Sequence, residues 1–243
     1  ESFFDVNHLE GVTFSEDPVP YFRALKENGP SGFFTAPSVG AGTANTEFEV
    51  MTQMNVHDFG TGEYPYKTIL QDTTCESIAY NLKELRLSTH VLHNNTATFY
   101  DRDKVFSKLG FDSFTSIEYM NDVEYNEIGW AKDSILTGGI LDLLDSTASR
   151  DLIYTISVQP HGAYPTDSES DGIRVLSGIE DEALRSEMEY YATQLQEVDD
   201  FLRALTAALE ALDEPTVLVV YGDHMPSLEI KESALDSGNL YTT

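Results

Sequence analysis

The chain holds 243 residues, 41% of them hydrophobic and 11% aromatic, a composition that builds a buried core and excludes intrinsic disorder. Its 14 basic residues face 42 acidic ones, a formal net charge of −28, which excludes nucleic-acid binding by phosphate neutralisation and concentrates divalent cations near the surface. No run of about 18 apolar residues occurs, so nothing in the sequence is expected to span a bilayer. The length suits one large domain better than two. The opening Glu1-Ser2-Phe3-Phe4-Asp5 lacks the basic start of a signal peptide. Cys75 stands alone, which excludes an internal disulfide, and reads as a small buried hydrophobe at a helix start.

In chain order, Ser31–Ala36 reads as a strand, followed by the Gly-rich loop Val39-Gly40-Ala41-Gly42 and a short helix over Ala44–Met51. Ser77–Leu85 reads as helical, and Ser88–Leu92 as a strand ending at His93-Asn94-Asn95. Arg102–Leu109 is a compact amphipathic helix stopped by Gly110. Lys132–Leu144 is a helical region with a Gly138-Gly139 interruption, and Asp151–Val158 a strand broken by Pro160. The acidic loop Asp167–Asp171 reads as a mobile insertion. From Glu180 to Leu212 one apolar stripe recurs at spacings of three and four: Leu184, Met188, Tyr191, Leu195, Val198, Leu202, Leu205 and Leu209. Asp213-Glu214-Pro215 ends this helix, and Val217-Leu218-Val219-Val220 reads as a buried strand after which Gly222 lets the chain turn. The alternation of strand and helix predicts the α/β class, with a mostly parallel sheet and the long helix packed on it between two strands.

Polar residues fall at the ends of these predicted strands: Thr43, His93 to Asn95, His161, and Asp223-His224. The crevice outside the carboxyl ends of parallel strands is where ligands bind. Each residue also has a plainer reading. Thr43 serves as an ordinary helix N-cap, His161 as a hydrogen-bonded loop residue, Arg102 as the partner of Asp101 or Asp103, and Asp223-His224 as loop. Against those readings, adjacent carboxylate and imidazole suit a divalent ion such as Mn or Zn. A hydroxyl at a helix N-terminus reached through a Gly-rich turn lies where the backbone favours an anion. A metal would lower the pKa of such a hydroxyl and make it a nucleophile, with Arg102 and His161 as the cations for phosphoryl oxygens.

The segments Glu1-Ser2-Phe3, Gly40-Ala41-Gly42-Thr43-Ala44-Asn45-Thr46-Glu47-Phe48-Glu49-Val50, Phe99-Tyr100-Asp101-Arg102-Asp103 and Tyr221-Gly222-Asp223-His224 occur in this order. Together they resemble the extracellular catalytic domain of the lipoteichoic acid synthase family, glycerol-phosphate transferases of the alkaline phosphatase/sulfatase superfamily. The resemblance covers essentially all of residues 1–243. It implies a three-layer α/β/α fold with a mostly parallel central sheet, here lacking the family's first strand and its C-terminal part. It implies that Glu1, Thr43, Asp223 and His224 hold one divalent ion, Mn first, with Mg or Zn as alternatives. Thr43 would be the nucleophile of a covalent glycerol-phosphate intermediate, His161 the substrate-binding and proton-handling histidine, and Arg102 the phosphate-gripping arginine. Tyr100 stands where the family has Trp, Asn95 where an Asp contacts substrate, and His93 in a corresponding binding position.

The implied partners are a phosphatidylglycerol-type lipid headgroup and a glycerol-phosphate or glycan acceptor. The implied location is the outer face of a bacterial, Gram-positive cytoplasmic membrane, to which the full-length protein would be anchored. Related reactions are phosphoethanolamine transfer, phosphodiester hydrolysis and sulfate-ester hydrolysis. The last requires Cys or Ser in a Cys/Ser-x-Pro-x-Arg context, which Gly42-Thr43-Ala44-Asn45-Thr46 lacks. A non-catalytic metal-binding surface domain is the reading outside enzymology.

Overall fold

In the computed structural model, which describes residues 1–168 and 171–243, the elements follow one another as β1 (Thr13–Phe14), α1 (Pro20–Asn28), α2 (Thr43–Thr52), α3 (Ile69–Asp72), α4 (Ile78–Glu84), β2 (Ser88–His93), α5 (Arg102–Lys108), β3 (Ser113–Thr115), α6 (Ile135–Ser146), β4 (Asp151–Ile156), β5 (Val175–Ser177) and α7 (Glu182–Glu210). They form two compact units, Glu1–Ala41 with Gln159–Thr243, and Gly42–Val158. The predicted mobile loop Asp167–Asp171 lies partly outside the described residues.

The Gly42–Val158 unit is built on a parallel sheet in the order β3-β2-β4. β2 is central and buried from Thr89 to His93, so its polar side chains need partners inside the unit. Thr89 Oγ1 donates to Asp112 at 3.1 Å, and the His90 ring bonds Ser113 Oγ at 2.7 Å. Because the strands are parallel, their carboxyl ends share one edge, where His93 lies opposite Ile156. Ala44, Phe48 and Met51 recur on the inner face of α2 and meet Tyr66, Leu70, Ala79, Val91, Phe106 and Ile156 in one core. Each large apolar side chain buried there contributes about 1.5–3 kcal/mol of transfer free energy. Cys75 is half-buried against this core, just ahead of the α4 cap Ser77.

Two helix predictions in this unit shift. α6 starts at Ile135 and not at Lys132, because Asp133 is tied elsewhere: its Oδ1 accepts from Asn94 at 2.8 Å and from the Val158 amide at 3.2 Å. Gly138 and Gly139 sit inside α6 without breaking it. Their propensity cost of about 1 kcal/mol each is outweighed where the helix packs on β2 and β4.

In the other unit α7 runs for 29 residues from its N-cap Asp181, whose carboxylate accepts from the Leu184 amide at 2.9 Å. The predicted stripe is its packed face, with Met188, Tyr191, Leu195, Val198, Leu202 and Leu205 buried. This helix packs against α1 and β5, and not between two strands of a sheet as expected. The Asp199 carboxylate on α7 accepts from the Tyr21 and Phe22 amides at 2.9 and 2.7 Å, supplying the α1 N-terminus with the acceptor its own residues lack. β1 and β5 pair antiparallel.

Two predicted strands are corrected here. Ser31–Ala36 is extended but joins no sheet; it pairs with the chain's last residues, Phe34 and Thr243 exchanging both backbone hydrogen bonds at 2.9 Å. Val217–Val220 is neither a strand nor buried, Val217 being 90% exposed. Four β-favouring residues make an extended segment, but a strand exists only where a neighbour completes its ladder; among the described residues none does. No helix among the described residues is long and apolar enough to cross a membrane.

Candidate active site

The Glu1, Asp223 and His224 side chains are buried and converge, with one ligand atom from each lying within 4.8 Å of the others. Their convergence begins at Gly222. A Cβ on that residue would collide with the Phe3 carbonyl oxygen, so the missing side chain is what lets residues 222–224 run against the Glu1–Phe3 segment. The chain bends at Asp223 and His224 as predicted, and the close approach of two backbones is the further reason for the glycine. Tyr191 of α7 fastens the other side of that segment, its hydroxyl donating to the Ser2 carbonyl at 2.5 Å and accepting from the Phe4 amide at 3.0 Å. Tyr164 packs edge-on against the Tyr191 ring at 5.3 Å, and its hydroxyl donates to the Pro160 carbonyl at 2.9 Å. Burial first, and then the negative charge of Glu1 and Asp223, pushes the Tyr164 phenol far above its ordinary pKa.

The donor set fits a divalent ion. His224 Nδ1 lies 2.8 Å from the Met225 carbonyl oxygen, which can only accept, so Nδ1 carries a proton and Nε2 is the ring nitrogen left to serve a metal. That Nε2 is 3.6 Å from Asp223 Oδ2. Two carboxylates and one imidazole are hard and borderline donors of the kind Mn, Mg and Zn accept. His161 stands at the margin of this cluster, partly exposed, its Nε2 4.0 Å from Glu1 Oε2 and its Nδ1 2.5 Å from the Gly162 carbonyl.

The remaining predicted residues belong to the Gly42–Val158 unit. Gly42, at φ 104°, turns the chain into α2, which makes Thr43 the first helical residue and not its cap. Thr43 is buried at 3% exposure. Glu47 follows one turn later on the same helix, also buried, and its carboxylate takes the Arg102 guanidinium in a two-point pair: Nη2 to Oε1 at 2.5 Å and Nε to Oε2 at 3.3 Å. The expected pairing of Arg102 with Asp101 or Asp103 is thereby corrected; Asp101 instead accepts from Lys67 at 2.8 Å. Arg102 is fully buried, and its Nη1 donates to His93 Nε2 at 3.1 Å. The opposite ring nitrogen of His93 donates to the Ile156 carbonyl at 2.8 Å. Burial, and then the Arg102 charge, hold the His93 pKa well below its ordinary value, so the ring is neutral.

Tyr100 lies over the Arg102 guanidinium at 5.3 Å and stacks on Tyr64 with centroids 6.0 Å apart. Tyr100 and Asp101 both adopt positive φ (59° and 55°), a strained pair of the kind that gathers at functional sites. Asn95 turns to its own backbone, accepting from the Thr96 amide at 2.7 Å. The structure thus gathers Glu1, Asp223, His224 and His161 in one unit, and His93, Tyr100 and Arg102 in the other. Glu47, Tyr164 and Tyr191 were not anticipated. Only Glu47 left a sequence signal, its place four residues after Thr43.

Residues 1–242 match the sulfatase family, and the chain belongs to it. The phosphoglycerol transferase GacH of Streptococcus pyogenes, solved with sn-glycerol-1-phosphate, is 25% identical and superposes with a TM-score of 0.86 over all of this chain and 64% of its own. The lipoteichoic acid synthase LtaP of Listeria monocytogenes shares the fold at 21% identity and TM-score 0.69, over 95% of this chain and 55% of its own. A Rhizobium meliloti (strain 1021) protein named for cyclic β-1,2-glucan modification is 29% identical over 228 residues, which is 94% of this chain but 35% of that protein. The chain therefore spans about a third of this curated relative. Its mixed α/β architecture with a parallel sheet is that of the alkaline phosphatase/sulfatase superfamily, as the sequence implied.

Proposed function

We propose that this chain is the catalytic domain of a metal-dependent phosphoglycerol transferase acting on the outer side of the cytoplasmic membrane. The observation that carries the reading is the buried cluster of Glu1, Asp223 and His224. Thr43, the first residue of α2, supplies the nucleophile and completes the ligand set. A divalent ion held there, Mn first with Mg or Zn as alternatives, would lower the pKa of the Thr43 hydroxyl and offset charge on the phosphoryl oxygens.

The donor is a phosphatidylglycerol-type lipid. Thr43 Oγ loses its proton to solvent and bonds to phosphorus as the bond from phosphorus to the diacylglycerol oxygen breaks. His161 donates a proton to that leaving oxygen, and Arg102 holds the oxygens of the phosphoryl group. An acceptor hydroxyl then bonds to phosphorus and gives its proton back to His161, as the bond from phosphorus to Thr43 Oγ breaks and Thr43 regains its proton from solvent. Tyr100, Asn95 and His93 shape the headgroup site. The likeness to GacH supports the glycerol-phosphate group, and the likeness to a protein named for glucan modification supports a glycan acceptor.

The test is diacylglycerol release from a fluorescent phosphatidylglycerol in the presence of Mn, with Thr43→Ala as comparison. Release by the wild-type chain and a loss of at least about a hundredfold in the variant, close to the largest single effects of removing a catalytic group, is the expected result. Equal release by both proteins overturns the role of Thr43.

A further inference from the structure

The structure assigns Glu47 as a positioning residue for the transfer step, aiming Arg102 while holding the helical turn that begins with Thr43. Residues four apart on a helix lie one above the other on the same face, so Thr43 and Glu47 share a face of α2. Glu47 is 2% exposed and Arg102 fully buried, and their contact is the two-point geometry that fixes a guanidinium in plane as well as in place. From Arg102 the chain of hydrogen bonds continues through His93 Nε2 and out of its Nδ1 to the Ile156 carbonyl, 3.1 Å and 2.8 Å. α2, α5 and the carboxyl ends of β2 and β4 are thereby tied at one set of polar atoms. A buried guanidinium without its carboxylate would be an uncompensated charge, free to turn toward any other acceptor. With Glu47 in place, the nucleophile's turn and the phosphate-binding arginine stay in one frame, as a near-attack geometry requires.

The inference rests on the transferase reading for its rate measurement but has a second readout that does not. The Mn-loaded wild type is compared with Glu47→Gln, Glu47→Asp and the charge-balanced double variant Glu47→Gln/Arg102→Met. Melting curves give the folded fraction and fluorescent phosphatidylglycerol the rate. Per folded molecule, Glu47→Gln is expected to lose at least about tenfold in kcat with KM within about threefold, the signature of lost orientation at intact binding. Glu47→Asp restores part of kcat, while the double variant, which lacks the phosphate-holding guanidinium altogether, is at least as slow as Glu47→Gln. Retention of kcat within about threefold in Glu47→Gln, a loss that Asp does not relieve, or a double variant faster than Glu47→Gln each overturns the assignment. In parallel, the Arg102 Nε–H resonance of ¹⁵N-labelled protein is expected to exchange slowly in the wild type and rapidly in Glu47→Gln; equal exchange overturns it. If the wild type and Thr43→Ala release lipid equally, the transferase reading fails, and the exchange measurement still decides the Glu47–Arg102 frame.

Discussion

Replacing Asp223 by Asn separates a metal site from an ordinary buried polar cluster, because only a metal site makes the effect depend on the cation. The Glu1 and Asp223 oxygens lie within 4.8 Å, which at an effective dielectric of about 20 corresponds to about 3 kcal/mol of repulsion. The Glu1 amino group, 3.9 Å from Asp223 Oδ1, supplies an attraction of about 4 kcal/mol on the same scale. The two nearly cancel, so the neutral amide is expected to melt within about 4 °C of the wild type in EDTA. With Mn at about a hundred times its dissociation constant, binding stabilises the wild type by about 2.7 kcal/mol, or about 5–10 °C. The variant, one ligand short, gains little of this. Thermal melting should therefore show the two curves close together in EDTA and separated in Mn. A variant that gains as much from Mn as the wild type refutes the reasoning: Asp223 would then hold the fold and not a cation.

Two further outcomes follow from the same geometry. Gly222→Ala places a methyl against the Phe3 carbonyl; overpacking of this kind costs about 1–3 kcal/mol. It should lower the melting temperature by several degrees and weaken Mn binding in calorimetry at least about tenfold. Unchanged Mn binding would show that Phe3 can yield without moving Glu1. His93 is held neutral in the folded chain, whereas the unfolded chain protonates it below about pH 6.5. The unfolded state then binds more protons, so this residue makes stability fall as pH drops below about 6.5, with a slope of up to about 1.4 kcal/mol per pH unit. Urea midpoints at pH 7 and pH 5 should therefore differ more in the wild type than in His93→Asn; equal differences refute it.

Sequence pattern carried α2, α4, α5, α7 and the strands β2 and β4, and missed β3 and α3. The stripe from Leu184 to Leu209 marked α7, and His93 was placed at a strand end because β2 is a short buried run bounded by polar residues. Contacts across long stretches of chain were not legible. Arg102 stands among acidic neighbours in sequence, yet its partner is Glu47, 55 positions away. α1 was missed because the acceptor at its N-terminus, Asp199, comes from α7 and leaves no local cap to read. Val217–Val220 was read too strongly, since β propensity describes a side chain's fit to a pleated surface and cannot supply the neighbouring strand. Glu1, Asp223 and His224 were singled out by motif order, and their side chains do converge, while the hydroxyl of Tyr191 that fastens the Glu1 segment belongs to the same apolar stripe as any core residue.

α7 extends for roughly 44 Å at the usual rise per residue, and along it the first part of the chain finds its anchors: Ser2 and Phe4 at Tyr191, Tyr21 and Phe22 at Asp199, and the Tyr21 hydroxyl again at Thr206. A chain emerging vectorially thus exposes all of Gly42–Val158, able to pair its own strands, before any of these anchors exists. Such sequence-distant closures are the slow ones. Glu1 precedes every other residue described, yet its anchors on α7 come late in the chain, and a cation shared by Glu1, Asp223 and His224 would be bound only after the long helix has been completed.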